Sequence, residues 1–341
     1  VIEETAFPDA LAILPSDTYV FDMAPGATEM SLRIVGQRKL NNGVGVTAVD
    51  LGLLAFDFKG TSLGGFRRLR SNSGLVPEAV MDNEDAMLRL QTDRLRVAVF
   101  VSACIYGTHA KANHSTIRGA VLPGLDDVFS YAQVRDGRLG LAQFELERLL
   151  AKMRERKKLL DQRKLHSASI SLETLTQALD LADRLLASVA QYETTDPVTL
   201  MVLSYQAMVL HGLQHPGPSI AVAAVVLEAA VTELLYALGL VEGRPARLPL
   251  LDPAPAPMSR SRVKTLRFNG ALGELKELGV LDAYLVQRID AVRKARNDFM
   301  HEAKAPGPRQ SGDALTAVRD VLRICTGERG FELNTGFAYR C

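Results

Sequence analysis

The chain has 341 residues, 47% of them hydrophobic and 23% charged, which is enough apolar material for a real core and excludes a disordered chain. A formal net charge of +1 excludes a globally basic nucleic-acid binder, so any polyanion-binding surface has to be local. Tryptophan is absent and aromatics make up 6%, which is thin for a protein that works by stacking bases.

This length allows two or three domains. Cys104, Cys325 and Cys341 lie far apart and form no paired framework, so the expected compartment is the reducing cytoplasm. The opening VIEETAFPDALAILPSD carries early acids and no basic run, and no signal peptide is expected from it.

Roughly the first 75 residues read as β-rich. Ser31–Phe58 holds short runs of β-branched residues, with Asn42-Gly43 as a hairpin turn. Gly60, Gly64 and Gly65 mark loops. From Glu84 the pattern turns helical, through Asp93–Lys111 and then one long helix from near Leu139 to Leu165. That helix carries Lys152–Lys164, seven basic residues against two acids, a pattern that fits a solvated helix face better than RNA contact.

A division is expected at His166–Ser171, giving an N-terminal domain (1–165) of unknown role and a helical domain (166–341). Ser171 is the candidate cap of a helix over 172–191. Further helices are expected from Pro197 to Leu213 and over 219–240, 270–279, 282–303 and 312–326, the last ending at Gly327. The apolar 219–240 segment contains Glu228 and Glu233, so it reads as a buried core helix and no membrane is expected as a partner. Between it and the later helices, the Pro-rich stretch 242–262 cannot be regular helix. If it covers a cleft it gates access; if it is disordered it is only a tether.

Most candidate sites are weak. Cys104, His109 and His114 are spaced five apart and would not share a helix face. His211 and His215 have the spacing of a metal pair but lack a third ligand. Lys59–Gly65 lacks the Gly-Lys-Ser/Thr of a phosphate loop, and Asp57-x-Lys59 has only Asp50 as a partner for a nuclease motif. No metal and no cofactor is expected.

The informative stretch is AVRKARNDFMHEAKAPGPR (Ala291 to Arg309). On a helix over 285–303, Leu285, Ile289, Val292, Phe299 and Ala303 share one face, and Arg296 falls in that same stripe, with Lys294 and Asp298 opposite. An arginine there has to be paired, placed at a cleft edge or buried in an interface. Asn297 and His301 share a face, but His301 lies roughly 140° round from Arg296 on a regular helix. Either the helix ends before His301, as Pro306-Gly307-Pro308 permits, or the two residues meet through a second subunit. The region is locally basic, with eleven Lys and Arg against six Asp and Glu between Pro257 and Gln310. Arg293, Lys294 and Lys304 are the candidate contacts to a polyanion.

Arg296-Asn297-x-x-x-His301 resembles the Arg-x(4–6)-His motif of HEPN domains, in which a polar residue commonly follows the arginine. The helix, glycine turn and motif helix of 270–301 are similar to that family's pattern, as is the earlier apolar helix with internal acids. The resemblance covers roughly 172–326. It implies an all-α bundle there; with the β-rich N-terminal segment and its following helices read above, the expected fold class is α+β. It also implies a homodimer formed through the bundle, with both motifs in one cleft. The implied activity is metal-independent endoribonuclease action on RNA, as in toxins and anti-phage effectors, with a regulatory partner protein as a further possibility. Arg296, Asn297 and His301 are the implied catalytic residues, and Glu228 or Glu233 would support them by pairing with Arg296. The alternative is a non-catalytic scaffold of the same kind that binds RNA or a nucleotide and dimerises. Arg296 would then be only a buried ion pair, and His301 an ordinary residue at a helix C-terminus.

Overall fold

The computed structural model describes residues 2–6, 10–13, 19–21, 32–49, 52–64, 67–71, 77–113, 128–129, 131–135, 138–141, 144–152, 154, 168–249 and 255–333. The protein is α+β. It divides into two compact units: Val1–Ser102 with Gly119–Asp183, and Ala103–Arg118 with Arg184–Cys341. Relative to a cut at 165/166, residues 103–118 join the second unit and 166–183 the first.

The first unit contains β1 (Ile2–Ala6), β2 (Ala10–Ile13), β3 (Tyr19–Phe21), β4 (Ile34–Lys39), β5 (Gly45–Val49), β6 (Leu53–Asp57) and β7 (Arg67–Ser71). It also holds β8 (Val128–Phe129), β9 (Tyr131–Arg135), β10 (Arg138–Leu141) and β11 (Ala168–Ile170). An antiparallel sheet runs in the order β4-β5-β6-β2-β8. Its inner strands β5 and β6 are buried almost throughout, which is why GVTAV and LLAFD read as continuous rather than alternating apolar runs. The β4–β5 hairpin turns at the expected place: Gly43 is left-handed at φ 88° and Asn42 Oδ1 accepts from the Val44 amide at 3.1 Å. Leu32, Val49, Leu53, Ala55, Phe129, Leu139 and Leu149 form a core cluster.

The long helix expected from Leu139 is shorter at its start. Arg138–Leu141 is β10, paired with β9, and helical residues of this segment, α2, are described over 144–152. Leu139 faces the core from a strand, so its apolar character served a sheet. Most of the basic run 152–164 lies outside the described residues.

Two helices are shared by the units, α1 (Pro77–Asn113) and α3 (Leu172–Ser188). The cap expected at Ser171 is present: its Oγ accepts from the Thr174 amide at 3.1 Å. At the first unit's end of α3, Arg38 from β4 grips Asp180 and Asp183, reaching the latter at 2.8 Å.

The second unit is helical: α4 (Pro197–Gly212), α5 (Pro216–Ala237), α6 (Arg260–Thr265), α7 (Phe268–Glu277), α8 (Ala283–Glu302) and α9 (Pro308–Thr326). Helix α5 is the hub and packs against α4, α7, α8 and α9. Long and apolar enough to cross a membrane by composition, it is here largely enclosed by its neighbours, as expected for a helix that carries an acid in its interior. Gly327 ends α9 in the left-handed region at φ 74°.

Candidate functional site

Helix α8 starts at Asp282, whose side chain accepts from the Leu285 amide at 2.7 Å, and runs without a break through His301 to Glu302. It stops at Ala303, which adopts the left-handed conformation at φ 53°, with the Lys304 amide on the Asp298 carbonyl at 3.1 Å. The helix therefore does not end before His301, and within one chain Arg296 and His301 point apart by roughly 140°.

The buried stripe is Leu285, Ile289, Val292 and Ala295, with Phe299 half-buried and Ala303 exposed. The stripe passes through Ala295, and Arg296 sits half-buried on its margin. Its Nη1 donates to Asn297 Oδ1 at 3.1 Å. No carboxylate among the described residues pairs with it, so the guanidinium keeps most of its donors for something else. Asn297 therefore orients the arginine. His301 is exposed on the last turn.

The pairing expected between Arg296 and a glutamate of α5 is not made. Glu233 is fully buried, and its carboxylate accepts the amides of Glu193 (3.0 Å) and Thr194 (2.8 Å) and the Thr194 hydroxyl (2.9 Å). Burial pushes its pKa up, against these donors and the nearby Arg247. Glu228 is half-buried with no ion pair among the described residues. Of the expected polyanion contacts, Arg293 faces Asp290 at 3.4 Å and Lys304 reaches Glu302 at 2.5 Å. Lys294 is exposed and pairs with no acid among the described residues.

Four helix ends meet where α8 finishes. The Phe299 ring lies on Gly217 in the first turn of α5, where a Cβ would stand 2.5 Å from ring carbons. His211, in the last turn of α4, places Nδ1 2.5 Å from Ser311 Oγ in the first turn of α9, and both residues are buried. Ser311 Oγ also donates to the Pro308 carbonyl at 3.0 Å. With its one proton committed there, the hydroxyl accepts from His211 Nδ1. Helix α4 ends at Gly212, so His215 lies beyond it and does not share a helix face with His211. Among the described residues no group of three potential ligands could hold a metal.

Three of the six histidines, His211, His215 and His301, thus lie at one end of the bundle. Sequence reasoning found His301 but missed this convergence, which depends on tertiary packing. The one local sign was Gly217 at the start of an otherwise strongly apolar helix. Gly217→Ala is expected to push Phe299 and the last turn of α8 aside, costing about 1–3 kcal/mol of stability. A chemical melt of the variant checks this.

The Pro-rich segment lies elsewhere. Val241 and Met258 form a bridge that closes it, and the Arg247 and Leu248 amides both donate to the Ala237 carbonyl at 2.8 Å. The Arg247 guanidinium covers the Tyr192 ring at 3.6 Å and donates to the Cys325 carbonyl at 3.2 Å. Glu193 pairs with Arg244 and, at 3.5 Å, with Arg260. The described part of the segment is therefore docked at the C-terminal end of α5, about 30 Å along that helix from Gly217. It is neither a cover for the motif of its own chain nor a loose tether.

Comparison of the chain with protein-family models, with curated proteins and with solved structures found no match.

Proposed function

We propose that this protein is a metal-independent endoribonuclease of HEPN type that acts as a homodimer on RNA. The observation that carries the reading is Arg296: a half-buried guanidinium held by Asn297 with no acidic partner among the described residues, on the same helix as an exposed histidine. An arginine left unpaired at the margin of a core is costly for stability and useful for an anion.

The chemistry follows from these residue types. The 2′-OH of the substrate attacks the adjacent phosphorus, the bond to the 5′ oxygen breaks, and a 2′,3′-cyclic phosphate remains. Arg296 holds the non-bridging oxygens as negative charge builds on the phosphorane. His301 takes the proton of the 2′-OH. Because the two side chains diverge on one helix, the site is completed by the partner subunit, with Arg296 of one chain serving beside His301 of the other.

The test is incubation of purified protein with total RNA in excess EDTA, followed by analysis of the product ends. Cleavage leaving 2′,3′-cyclic phosphates and 5′-hydroxyls supports the reading; no cleavage by the wild type overturns it. A non-catalytic RNA-binding scaffold is favoured by one observation, the divergence of Arg296 and His301 along an unbroken helix. It predicts equal RNA affinity in wild type and His301→Ala, with cleavage by neither.

A further inference from the structure

The end of the bundle where α8 finishes carries a second exposed histidine, His215, which the motif does not include. It sits two residues before Gly217, against which Phe299 of the motif helix packs, so the first turn of α5 lies against the last turn of α8, whose exposed side carries His301. Three local choices in these turns depart from what stability alone favours. His215 occupies the N-cap of α5, where Ser, Thr, Asp or Asn is preferred, and its side chain makes no capping bond. Gln214 before it is left-handed at φ 64°, a conformation that glycine or asparagine adopts at lower cost. Ala303, two residues after His301, is left-handed at φ 53°. Gln214 and Ala303 are two of the three non-glycine residues with positive φ among those described, and each lies within two residues of an exposed histidine. Strained turns of this kind concentrate at functional sites.

Cleavage through the 2′-OH needs two proton transfers, one from the attacking hydroxyl and one to the departing 5′ oxygen. We propose that His215 performs the second. This rests on the endoribonuclease reading. The phosphorus–2′ oxygen bond forms while the phosphorus–5′ oxygen bond breaks. His301 accepts the proton of the 2′-OH, the His215 imidazolium gives its proton to the 5′ oxygen, and exchange with water restores both rings. The clamp between His211 and Ser311 holds the last turn of α4 against the first turn of α9, which fixes the 213–215 turn relative to the 303–307 turn.

The experiment compares wild type, His215→Ala, His215→Ser and His301→Ala on two oligoribonucleotides. One is ordinary; in the other the bridging 5′ oxygen at the cleavage site is replaced by sulfur, whose thiolate leaves without being protonated. Both His215 variants are expected to lose on the order of 100-fold or more on the ordinary substrate and to recover near wild-type rates on the sulfur one. His301→Ala is expected to lose activity on both. Serine is a favoured N-cap, so His215→Ser is expected to melt no lower than wild type, which separates lost chemistry from lost fold. Wild-type cleavage of ordinary RNA by His215→Ser, or equal loss on both substrates, overturns the proposal and leaves the nuclease reading standing. A wild type that cuts neither substrate overturns both.

Discussion

Alanine at Arg296 is expected to slow metal-free RNA cleavage by a factor on the order of 10²–10³, and alanine at His301 by about 10²–10⁴. The two losses have different origins. Removing the guanidinium takes away positive charge that meets the phosphorane only as the reaction proceeds, whereas removing the imidazole takes away the acceptor for the 2′-OH proton. Neither change should disturb the fold much. Arg296 has no ion pair to break among the described residues, and its one side-chain bond joins it to its neighbour Asn297. His301 is exposed. Both variants should therefore melt close to wild type, and the rates read chemistry alone. Asn297→Ala is expected to be milder, because it frees the arginine without removing it.

Glu233→Ala is expected to do the reverse, lowering stability by about 3 kcal/mol, since it strands several buried donors at once. The amides of Glu193 and Thr194 and the Thr194 hydroxyl all lose their acceptor, and Arg247 loses a nearby opposite charge. The pH dependence has a definite sign. Burial raises the folded-state pKa of Glu233 above its ordinary value. Between the unfolded and folded values the native state binds more protons, so this group's contribution to stability falls as pH rises through that window. Glu233→Gln is expected to flatten that dependence in melts taken at a series of pH values.

Much of the helical unit was legible in the sequence, because its helices carry their own start and stop signals. Ser171 and Gly327 act where their residue types predict. Asp196 was a missed cap of the same kind, accepting from the Thr199 amide at 2.9 Å ahead of Pro197. The motif helix was legible as well, within a residue at each end. The hidden features depend on long-range packing. Leu139 has the spacing of a helix residue, but the pairing of β10 with β9 decides its state. Glu233 is one acid among apolar residues, and nothing local says that it faces the turn after α3 and not Arg296. The Pro-rich segment looked unstructured because its order comes from docking on the end of α5, with Arg247 stacked on Tyr192, a contact spanning 55 positions. His215 showed only as half of a weak metal pair, since its neighbourhood exists once Phe299 meets Gly217.

The decisive measurement is subunit mixing. Arg296→Ala and His301→Ala proteins, each inactive alone, are combined, allowed to exchange subunits and assayed on RNA with EDTA present. A site built across a two-fold dimer regains one intact pair in each hybrid, so random mixing is expected to restore about a quarter of wild-type activity. No recovery, with hybrid dimers shown to have formed, contradicts a site that joins Arg296 of one chain to His301 of the other.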